Sequence, residues 1–582
     1  MSPLRIAPWP LEADDLTSFF ARVESGVEFR SAFEELLCDL SLAKAEHLML
    51  MTRQGRAGWI PLLRTNAGRA LVIGNAFSGA GPGLAQAGWE VVLRDDCQQR
   101  LAFALARAKD LGLELQTELS QGERHLPHGD ESFDLIVRDG KEGAETRELA
   151  RLARGEVVLI ADNRYAYKRS VGVHGEFKVR APLEYLRSLF SSDGQSLTDY
   201  AKELKRAGLV GLRPHSLYPH SADFTFCVSL SDEGPSLPIG PKERTNKLKI
   251  LGQKLGLFPL LTPSYALISH KPKARLLRPL AERLLCKALS LESDQSPPLE
   301  HLVATRGNNA LLLSGGTDPL VLHLPLERRQ QTQVKRHLST LSLLREEFPT
   351  VPVPRPRGLL SIDGMWCAAE ERLSGWTAGQ ICGDHQKVSR MLSDASLHLA
   401  ALVTRPAQAF SELDYEELIG ERVRRVALKA RDAETKAALR EMGARAREQL
   451  VGTSFPLVRS HGDLRSKHVQ VDHQGNVLGY LDWGATEERD LPLFDLLHLI
   501  INERKQEGQL EAGEAWRLFL NEREGNLREY ERAALEDYSQ RLGLSEEFRS
   551  AIESLYPLFV ADAAEKNWDY SRPRWLRRQF GL

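Results

Sequence analysis

Residues 460–496, SHGDLRSKHVQVDHQGNVLGYLDWGATEERDLPLFDL, carry two acidic residues that each stand beside an apolar, strand-like run. Asp463 lies in a polar turn, and Asp482 follows it nineteen residues later at the end of a second run. Between them, residues 469–471 alternate like a short strand and residues 473–476 form a polar turn. This pattern predicts a hairpin that brings both carboxylates to one edge of a cleft. Phosphoryl transfer uses such a pair, because one carboxylate orients the attacking hydroxyl and the other holds magnesium on the nucleotide phosphates.

The stretch resembles the catalytic core of the aminoglycoside phosphotransferase family, which has a His-Gly-Asp turn, an Asn five residues after the Asp, and a Leu/Ile-Asp-Trp strand end. Three segments fit that pattern: 461–463, 481–483 and 493–498. The resemblance implies that Asp463 is the catalytic base and that Asp482 is a magnesium ligand. His468 stands where the family has its second metal ligand, the Asn, although imidazole is a poor ligand for a hard cation that prefers oxygen.

The composition is that of an ordinary globular chain with several domains. The 582 residues are 42% hydrophobic and 27% charged, and a length of this kind predicts about two to four domains. The net charge of −2 gives no sign of a nucleic-acid partner. The six cysteines include no CxxC pair, which is typical of reduced thiols in the cytoplasm. No run of about 18 apolar residues occurs, so we expect a cytoplasmic protein without a membrane segment.

The first part of the chain predicts a helical segment followed by a doubly wound sheet. In residues 1–66, apolar residues recur at helical spacing, which indicates a helical cap with no chemistry of its own. From residue 67 onward, apolar runs at 70–73, 90–94 and 133–137 alternate with helical segments. This alternation predicts an α/β domain with a mostly parallel sheet, which would bind its ligand at the carboxyl ends of the strands.

A loop of small residues and an acid follow the first two predicted strands. The loop covers residues 74–83, and Asp95 ends the second strand. This arrangement resembles class I S-adenosylmethionine-dependent methyltransferases, in which a glycine-rich loop approaches the cofactor and the acid binds ribose hydroxyls. The resemblance implies four cofactor-binding residues: Gly74, Ala76, Ser78 and Asp95. Two of them, Ala76 and Ser78, replace glycines of the family pattern, and tight packing of a helix against a strand is the alternative role for the loop.

A polar segment after a fourth apolar run, at residues 156–160, is a candidate acceptor-binding region. Residues 163–168, Asn-Arg-Tyr-Ala-Tyr-Lys, resemble a segment of methyltransferases that are encoded with bacterial surface-polysaccharide genes. Amide, guanidinium, phenol and amine groups at the carboxyl end of a strand would suit a polar acceptor. A solvated loop is the alternative.

Residues 273–582 resemble the two lobes of the same phosphotransferases. Two strand-like runs resemble the smaller lobe, in which His323 stands where the family usually has the lysine that holds the nucleotide phosphates. A neutral imidazole supplies less positive charge than lysine near pH 7. Residues 369–375 match the hinge between the lobes, so we expect Glu370 beside the adenine ring. Residues 376–582 are rich in helical patterns, as the larger lobe requires.

The predicted architecture is therefore an α/β Rossmann-like methyltransferase domain followed by an α+β, bilobal, protein-kinase-like domain of the aminoglycoside phosphotransferase type. The predicted boundaries are a helical cap at 1–66, the methyltransferase-like domain at 67–272, the smaller kinase-like lobe at 273–375 and the larger lobe at 376–582.

The leading hypothesis is a two-module transferase that methylates with S-adenosylmethionine and phosphorylates a hydroxyl with ATP and Mg²⁺. The expected acceptor is a small molecule or glycan, by analogy with fused modules that accompany polysaccharide assembly. Because His323 and His468 both replace functional family residues, the alternative is a pseudokinase-like or methyltransferase-like scaffold that holds a ligand or partner without phosphotransfer. A methyltransferase with an inactive kinase-like domain is a third possibility.

Overall fold

The computed structural model describes residues 13–121, 125–140, 145–166, 195–221, 224–231, 258–291, 299–305, 308–522 and 527–567, together with Leu576 and Phe580. The chain divides into two compact units. Unit 1 comprises Met1–Gln331 and Gly358–Ala369, and unit 2 comprises Thr332–Arg357 and Glu370–Leu582. These divisions fall at other positions than 66/67, 272/273 and 375/376, and the predicted domain boundaries stay predictions. Residues 167 and 168 of the candidate acceptor-binding segment lie outside the described residues.

Unit 1 begins with three helices: α1 (Ala13–Glu24), α2 (Phe29–Asp39) and α3 (Leu42–Thr52). Their apolar faces form a cluster in which Phe19 and Leu36 are buried together with Phe77 and Phe103 of the following segment. Burial of large apolar side chains is the main favourable term in such packing. The helical pattern of residues 13–52 is therefore present, and its apolar face covers the loop after the first strand.

A thirteen-stranded sheet forms the centre of unit 1. In chain order its strands are β1 (Arg69–Gly74), β2 (Glu90–Asp95), β3 (Leu115–Leu119), β4 (Phe133–Asp139), β5 (Ala153–Asp162), β6 (Val210–Tyr218), β7 (Phe226–Ser229), β8 (Ser264–His270), β9 (Leu299–Ala304), β10 (Asn309–Ser314), β11 (Leu320–Pro325), β12 (Pro356–Ile362) and β13 (Met365–Glu371). The helices of this part are α4 (Ala80–Gln86), α5 (Gln98–Leu111), α6 (Thr146–Leu152), α7 (Leu197–Arg206), α8 (Phe258–Leu261) and α9 (Leu280–Ala288).

The first five strands are parallel and lie in the order β3-β2-β1-β4-β5. Successive residues of β1 point to opposite faces, and both faces are covered: Ala70 and Val72 belong to one apolar cluster, and Leu71 and Ile73 belong to another. A parallel sheet buried on both faces requires such continuous apolar strands. These five parallel strands agree with the predicted doubly wound sheet, and their order is that of a Rossmann-like half.

The sheet then continues into the strands that the sequence assigned to the smaller kinase-like lobe. β8 pairs antiparallel with β5 and β6, and β7 pairs antiparallel with β6. The next pairing, between β7 and β9, places Phe226 opposite Val303 and Cys227 opposite Leu302. This pairing covers an edge that would otherwise expose unpaired backbone groups.

Unit 2 is mainly helical. Its helices are α10 (Arg328–Glu347, which starts in unit 1), α11 (His385–Ala400), α12 (Glu412–Tyr415), α13 (Glu421–Lys429), α14 (Ala433–Leu450), α15 (Phe494–Gly508), α16 (Ala512–Glu522), α17 (Glu529–Leu542) and α18 (Glu546–Asn567). Its short strands are β14 (Trp376–Thr377), β15 (Val403–Ala409), β16 (Ser454–Ser460), β17 (Val469–Val471), β18 (Val477–Tyr480) and β19 (Glu487–Asp490). They form two three-stranded sheets, β14-β17-β18 and β15-β16-β19.

The predicted hairpin of the opening stretch is present. β17 and β18 pair antiparallel, and Asp472 fixes the turn by accepting hydrogen bonds from the backbone N–H of Gln474 and Asn476 at 2.8 and 2.9 Å. Aspartate favours turns because its carboxylate can accept from nearby backbone groups in this way. Among the described residues, no helix is long and apolar enough to cross a membrane.

Candidate phosphotransfer site

Asp495 of α15 binds the backbone of the His461-Gly462 loop. The two oxygens of Asp495 accept from the backbone N–H of His461 and Gly462 at 2.6 and 3.0 Å. Gly462 has a φ of +77°, and a Cβ there would lie 2.3 Å from the carbonyl oxygen of Ala485, so the loop requires glycine. Burial raises the pKa of Asp495 to about 7, against the two N–H donors that lower it.

Asp463, the predicted base, is 4% exposed. Its Oδ2 accepts a hydrogen bond from Arg465, whereas no described residue donates a hydrogen bond to its Oδ1. Nε2 of His498 lies 3.6 Å from Oδ1. Burial alone would raise the pKa of Asp463, but Arg465, His498 and His468 outweigh it, and the pKa lies well below its usual range. Asp463 is therefore ionised at neutral pH and keeps one oxygen available as an acceptor.

Asp482, the predicted metal ligand, follows β18 in the left-handed region, with φ 64° and ψ 59°. Its side chain is 61% exposed, and its Oδ2 lies 3.4 Å from Nε2 of His468. The backbone carbonyl of His468 accepts from the N–H of Leu481 at 2.8 Å, so the hairpin holds the two residues together. The structure thus brings together both predicted metal-ligand candidates and the predicted base.

His468 is neutral in this setting. Its Nδ1 lies 2.7 Å from the backbone carbonyl oxygen of Asp463; since a carbonyl can only accept, Nδ1 carries the proton. Burial lowers the pKa of His468 to about 3. A ligand set of one carboxylate and one neutral imidazole can hold a divalent cation, although the imidazole does not suit Mg²⁺ as well as an oxygen ligand would.

His337 of α10 also belongs to this site, although it is not among the residues predicted from the sequence. Nδ1 of His337 accepts from the backbone N–H of Trp483 at 3.0 Å, and Nε2 donates to Oε2 of Glu370 at 2.6 Å. Burial alone would lower the pKa of His337. The neighbouring Glu370 raises this pKa by more than burial lowers it, so the pKa lies above its ordinary value. This pair fixes the backbone of the residue next to Asp482. The available signal was a histidine on the apolar face of the helix, between Val334 and Leu341.

The predicted nucleotide contacts of Glu370 and His323 are not decided by their surroundings. Glu370 is 3% exposed and accepts a hydrogen bond from His337, and the predicted contact of this segment with adenine stays a prediction. His323 lies on β11 opposite Leu311, in unit 1. Its predicted role beside the nucleotide phosphates also stays a prediction.

In unit 1, the four predicted cofactor residues lie together at the carboxyl ends of β1 and β2, but Asp95 is saturated. Its Oδ2 accepts from the N–H of Ala76 at 2.7 Å, and its Oδ1 accepts from the N–H of Cys97 at 2.8 Å. Arg100 donates to both oxygens, at 2.6–2.9 Å. Asp95 is 3% exposed. Its carboxylate therefore caps the loop and α5 instead of presenting oxygens to ribose hydroxyls.

The rest of this crevice is also filled by the chain. Arg56 donates to Ser78 at 3.1 Å and to both oxygens of Asp139 at 2.9 and 2.8 Å. The ring of Phe77 lies 4.3 Å from that of Phe103, and a Cβ on Gly79 would lie 1.9 Å from the carbonyl oxygen of Arg53. Gly74 has a φ of +121°, and a Cβ there would lie 2.4 Å from the carbonyl oxygen of Asp139. As arranged, these residues do not fit S-adenosylmethionine.

Comparison with known families gives one match, in the second half of the chain. Residues 303–536 match the family described as "Phosphotransferase enzyme family". Residues 303–536 form a phosphotransferase-family domain. The prediction of such a domain in the second half of the chain is confirmed. The fusion with a methyltransferase is not. No curated protein matches the chain.

Solved structures with some similarity include aminoglycoside phosphotransferase APH(3'')-Id from Streptomyces rimosus in complex with ADP and streptomycin. It is 17% identical over 43% of this chain and 90% of its own, with a TM-score of 0.29. The GDP and kanamycin complex of APH(2")-IIia is 15% identical over 52% of this chain and 95% of its own, with a TM-score of 0.35. A putative sarcosine dimethylglycine methyltransferase from Galdieria sulphuraria is 16% identical over 37% of this chain and 80% of its own, with a TM-score of 0.23. No conclusion about substrate rests on these similarities.

Proposed function

We propose that the phosphotransferase-family domain transfers a phosphoryl group from ATP to a hydroxyl of a small molecule, with Asp463 as the residue that receives the hydroxyl proton. The observation that carries this proposal is Oδ1 of Asp463, a buried, ionised oxygen to which no described residue donates a hydrogen bond. A buried carboxylate oxygen without a donor costs free energy, and a substrate hydroxyl is a donor that would satisfy it.

In this reaction the acceptor oxygen forms a bond to the γ-phosphorus while the bond from that phosphorus to the β–γ bridging oxygen breaks, and ADP leaves with the electron pair. Asp463 orients the hydroxyl and takes its proton as the new bond forms. Arg465, which donates to the other oxygen of Asp463, keeps this carboxylate in one orientation. The low pKa of Asp463 makes positioning its main contribution, since such a weak base removes a proton only late in the reaction.

Asp482 and His468 are the residues that would hold the divalent cation, which neutralises charge on the nucleotide phosphates when it is bound. His337 supports this arrangement by accepting from the backbone N–H of Trp483. The left-handed backbone of Asp482 is uncommon for a residue other than glycine. Such a conformation persists when the surroundings hold it, as the neighbouring hydrogen bonds do here.

For the acceptor we propose a sugar-containing small molecule or a glycan. The Oδ1 of Asp463, to which no described residue donates and which would accept from a hydroxyl, supports a hydroxyl-bearing small molecule as the class. A link to polysaccharide assembly rests on analogy alone. For the Rossmann-like sheet of unit 1 we propose a structural role in place of methyl transfer, which the saturated carboxylate of Asp95 supports.

The test compares the whole chain with its Asp463→Asn variant in an assay of ATP consumption, with pooled sugar and aminoglycoside acceptors. We expect Asp463→Asn to lower kcat by about 10²–10⁴-fold, the usual contribution of a positioned acid–base residue. It should also lower the free energy of unfolding, because the neutral amide loses the charge interactions that hold the pKa of Asp463 low, so kcat is measured on protein that urea denaturation shows to be folded.

The matched control is Asp472→Asn, which alters an acid of the same hairpin that only fixes the turn. It should leave kcat unchanged. ATP turnover that is equal in the wild type and in Asp463→Asn, or absent from the wild type with every acceptor and with Mg²⁺, Mn²⁺ or Zn²⁺, would contradict the proposal and favour a scaffold without phosphotransfer.

A further inference from the structure

The hydrogen bonds of His468 decide which of its ring nitrogens has a lone pair. Nδ1 donates to the carbonyl oxygen of Asp463 at 2.7 Å, so the neutral ring keeps its lone pair on Nε2. That nitrogen lies 3.4 Å from Oδ2 of Asp482. The imidazole is 7% exposed, and the carbonyl holds it in this tautomer. Two acceptor atoms therefore face each other without a proton between them.

The spacing of these two atoms suits a shared metal ion. Ligand atoms about 2.1 Å from one ion are 3.4 Å apart when the angle at the ion is about 108°. Histidines that bind metals usually donate their other ring N–H to a carboxylate or a backbone carbonyl, which fixes the ring and makes the ligand more basic. His468 already has this second hydrogen bond. The nearby imidazole of His461 does not offer its Nε2 to a metal ion, because that nitrogen donates to the carbonyl oxygen of Leu481 at 2.8 Å.

We propose that His468 and Asp482 select a borderline transition-metal ion, Mn²⁺ or Zn²⁺, over Mg²⁺. The inference rests on the proposed function only in placing the cation of the phosphotransfer site at Asp482. Imidazole nitrogen is a favourable ligand for first-row transition metals, whereas Mg²⁺ demands oxygen ligands and loses its water reluctantly. Replacing an amide oxygen by a preoriented imidazole nitrogen thus changes which ion the site prefers.

The experiment measures metal binding directly, on the whole chain after removal of metals with a chelator and without nucleotide. Calorimetric titrations with MnCl₂, ZnCl₂ and MgCl₂ should give dissociation constants for Mn²⁺ and Zn²⁺ at least about tenfold lower than for Mg²⁺. In His468→Asn the Mn²⁺ and Zn²⁺ constants should rise by about tenfold or more while the Mg²⁺ constant stays equal or falls. Electron spin-echo spectra of bound Mn²⁺ should show coupling to an imidazole nitrogen, and His468→Asn should lose it.

The matched control is His473→Asn, which removes an exposed imidazole from the turn of the same hairpin and should change neither the constants nor the spectrum. If His468→Asn unfolds, Asp482→Asn replaces it: this side chain is largely exposed, and its loss should weaken binding of all three ions. Equal affinity of the wild type for Mg²⁺ and Mn²⁺, or a nitrogen coupling that persists in His468→Asn, would overturn the inference.

Failure of this inference can be told apart from failure of phosphotransfer. If the wild type transfers phosphate with Mg²⁺ and shows no ion preference, the inference is wrong and the proposed function stands. If Mn²⁺ binds with the expected preference but ATP is not consumed with any of the three ions, the metal site stands and the proposed function is wrong.

Discussion

Asp95 of unit 1 and Asp463 of unit 2 are both acids that follow a buried strand, and both are almost inaccessible to solvent. Their surroundings differ. Both oxygens of Asp95 accept from backbone N–H groups and from Arg100, whereas one oxygen of Asp463 has no donor among the described residues. A fully satisfied buried carboxylate stabilises its own fold, and one that lacks a donor is suited to receive one from a ligand. This difference supports the proposed catalytic role of Asp463 and the proposed structural role of Asp95.

The largest predicted effect comes from replacing the carboxylate of Asp95 by an amide, the same change that is proposed above for Asp463. Asp95→Asn should lower the free energy of unfolding by about 3–5 kcal/mol, because it leaves the buried guanidinium of Arg100 without its main partner. It should leave kcat for phosphotransfer unchanged in the protein that remains folded. Urea denaturation, followed together with ATP turnover, measures both quantities.

Titration with S-adenosylmethionine tests the structural role proposed for Asp95. The wild type should give no heat on titration with S-adenosylmethionine and no rise in melting temperature. A rise in the wild type that disappears in Asp95→Asn would show that the carboxylate binds cofactor after all, and the structural role proposed for unit 1 would be wrong. The double variant Asp95→Asn/Arg100→Met serves as the control, because it removes the uncompensated charge and should recover part of the lost stability.

The buried carboxylate of Asp495 in unit 2 predicts a pH dependence of the free energy of unfolding. Burial raises the pKa of Asp495 to about 7, above the value of about 3.9 for an unfolded chain. Between these values the folded state keeps a proton that the unfolded state has lost, so this contribution is complete below pH 4 and is lost as pH rises through 7. We expect the free energy of unfolding to fall by up to about 1.4 kcal/mol per pH unit between pH 5 and 7 from this group.

Asp495→Asn cannot titrate and should remove that part of the slope, although it weakens the hydrogen bonds to the His461-Gly462 loop. Urea denaturation at pH 5, 6 and 7 gives the slopes for both proteins. Parallel slopes would show that Asp495 is already ionised throughout this range. Asp463 does not interfere, since its depressed pKa gives a contribution that is lost only in acid, as pH falls below about 4.

Local patterns in the sequence were sufficient for the hairpin and for the parallel strands. The alternation at 469–471 and the polar turn predicted β17 and β18, and continuous apolar runs predicted β1, β2 and β4. These signals are short-range: strand periodicity and turn chemistry are properties of neighbouring residues. The positions of Asp463 and Asp482 beside such elements followed from these patterns, whereas the place of His468 near them was predicted only from the family resemblance.

Contacts between distant parts of the chain could not be predicted in the same way. His337 bonds to the backbone of Trp483, 146 positions away, and Arg56 pairs with Asp139, 83 positions away. The continuation of the Rossmann-like sheet from β7 into β9 is another such pairing. Nothing in a neighbouring residue records these partners, and the same loop of small residues can either bind a cofactor or be filled by an arginine. The chemical role of the loop therefore depended on Arg56, which the sequence pattern did not mark.

Ser78→Ala should have the smallest effect, and it tests whether the contact of Ser78 with Arg56 fills a cofactor site. The hydroxyl of Ser78 accepts from Nε of Arg56 at 3.1 Å and from the N–H of Ala80 at 3.3 Å, while Arg56 keeps its two bonds to Asp139. Loss of these two hydrogen bonds should therefore lower the free energy of unfolding by only about 1–2 kcal/mol. Phosphotransfer should not change, and neither should the absence of heat with S-adenosylmethionine. Measurable binding of S-adenosylmethionine in Ser78→Ala but not in the wild type would mean that the contact with Arg56 blocks a cofactor site that is otherwise intact, and Asp95 would then have to be assigned to chemistry as Asp463 is.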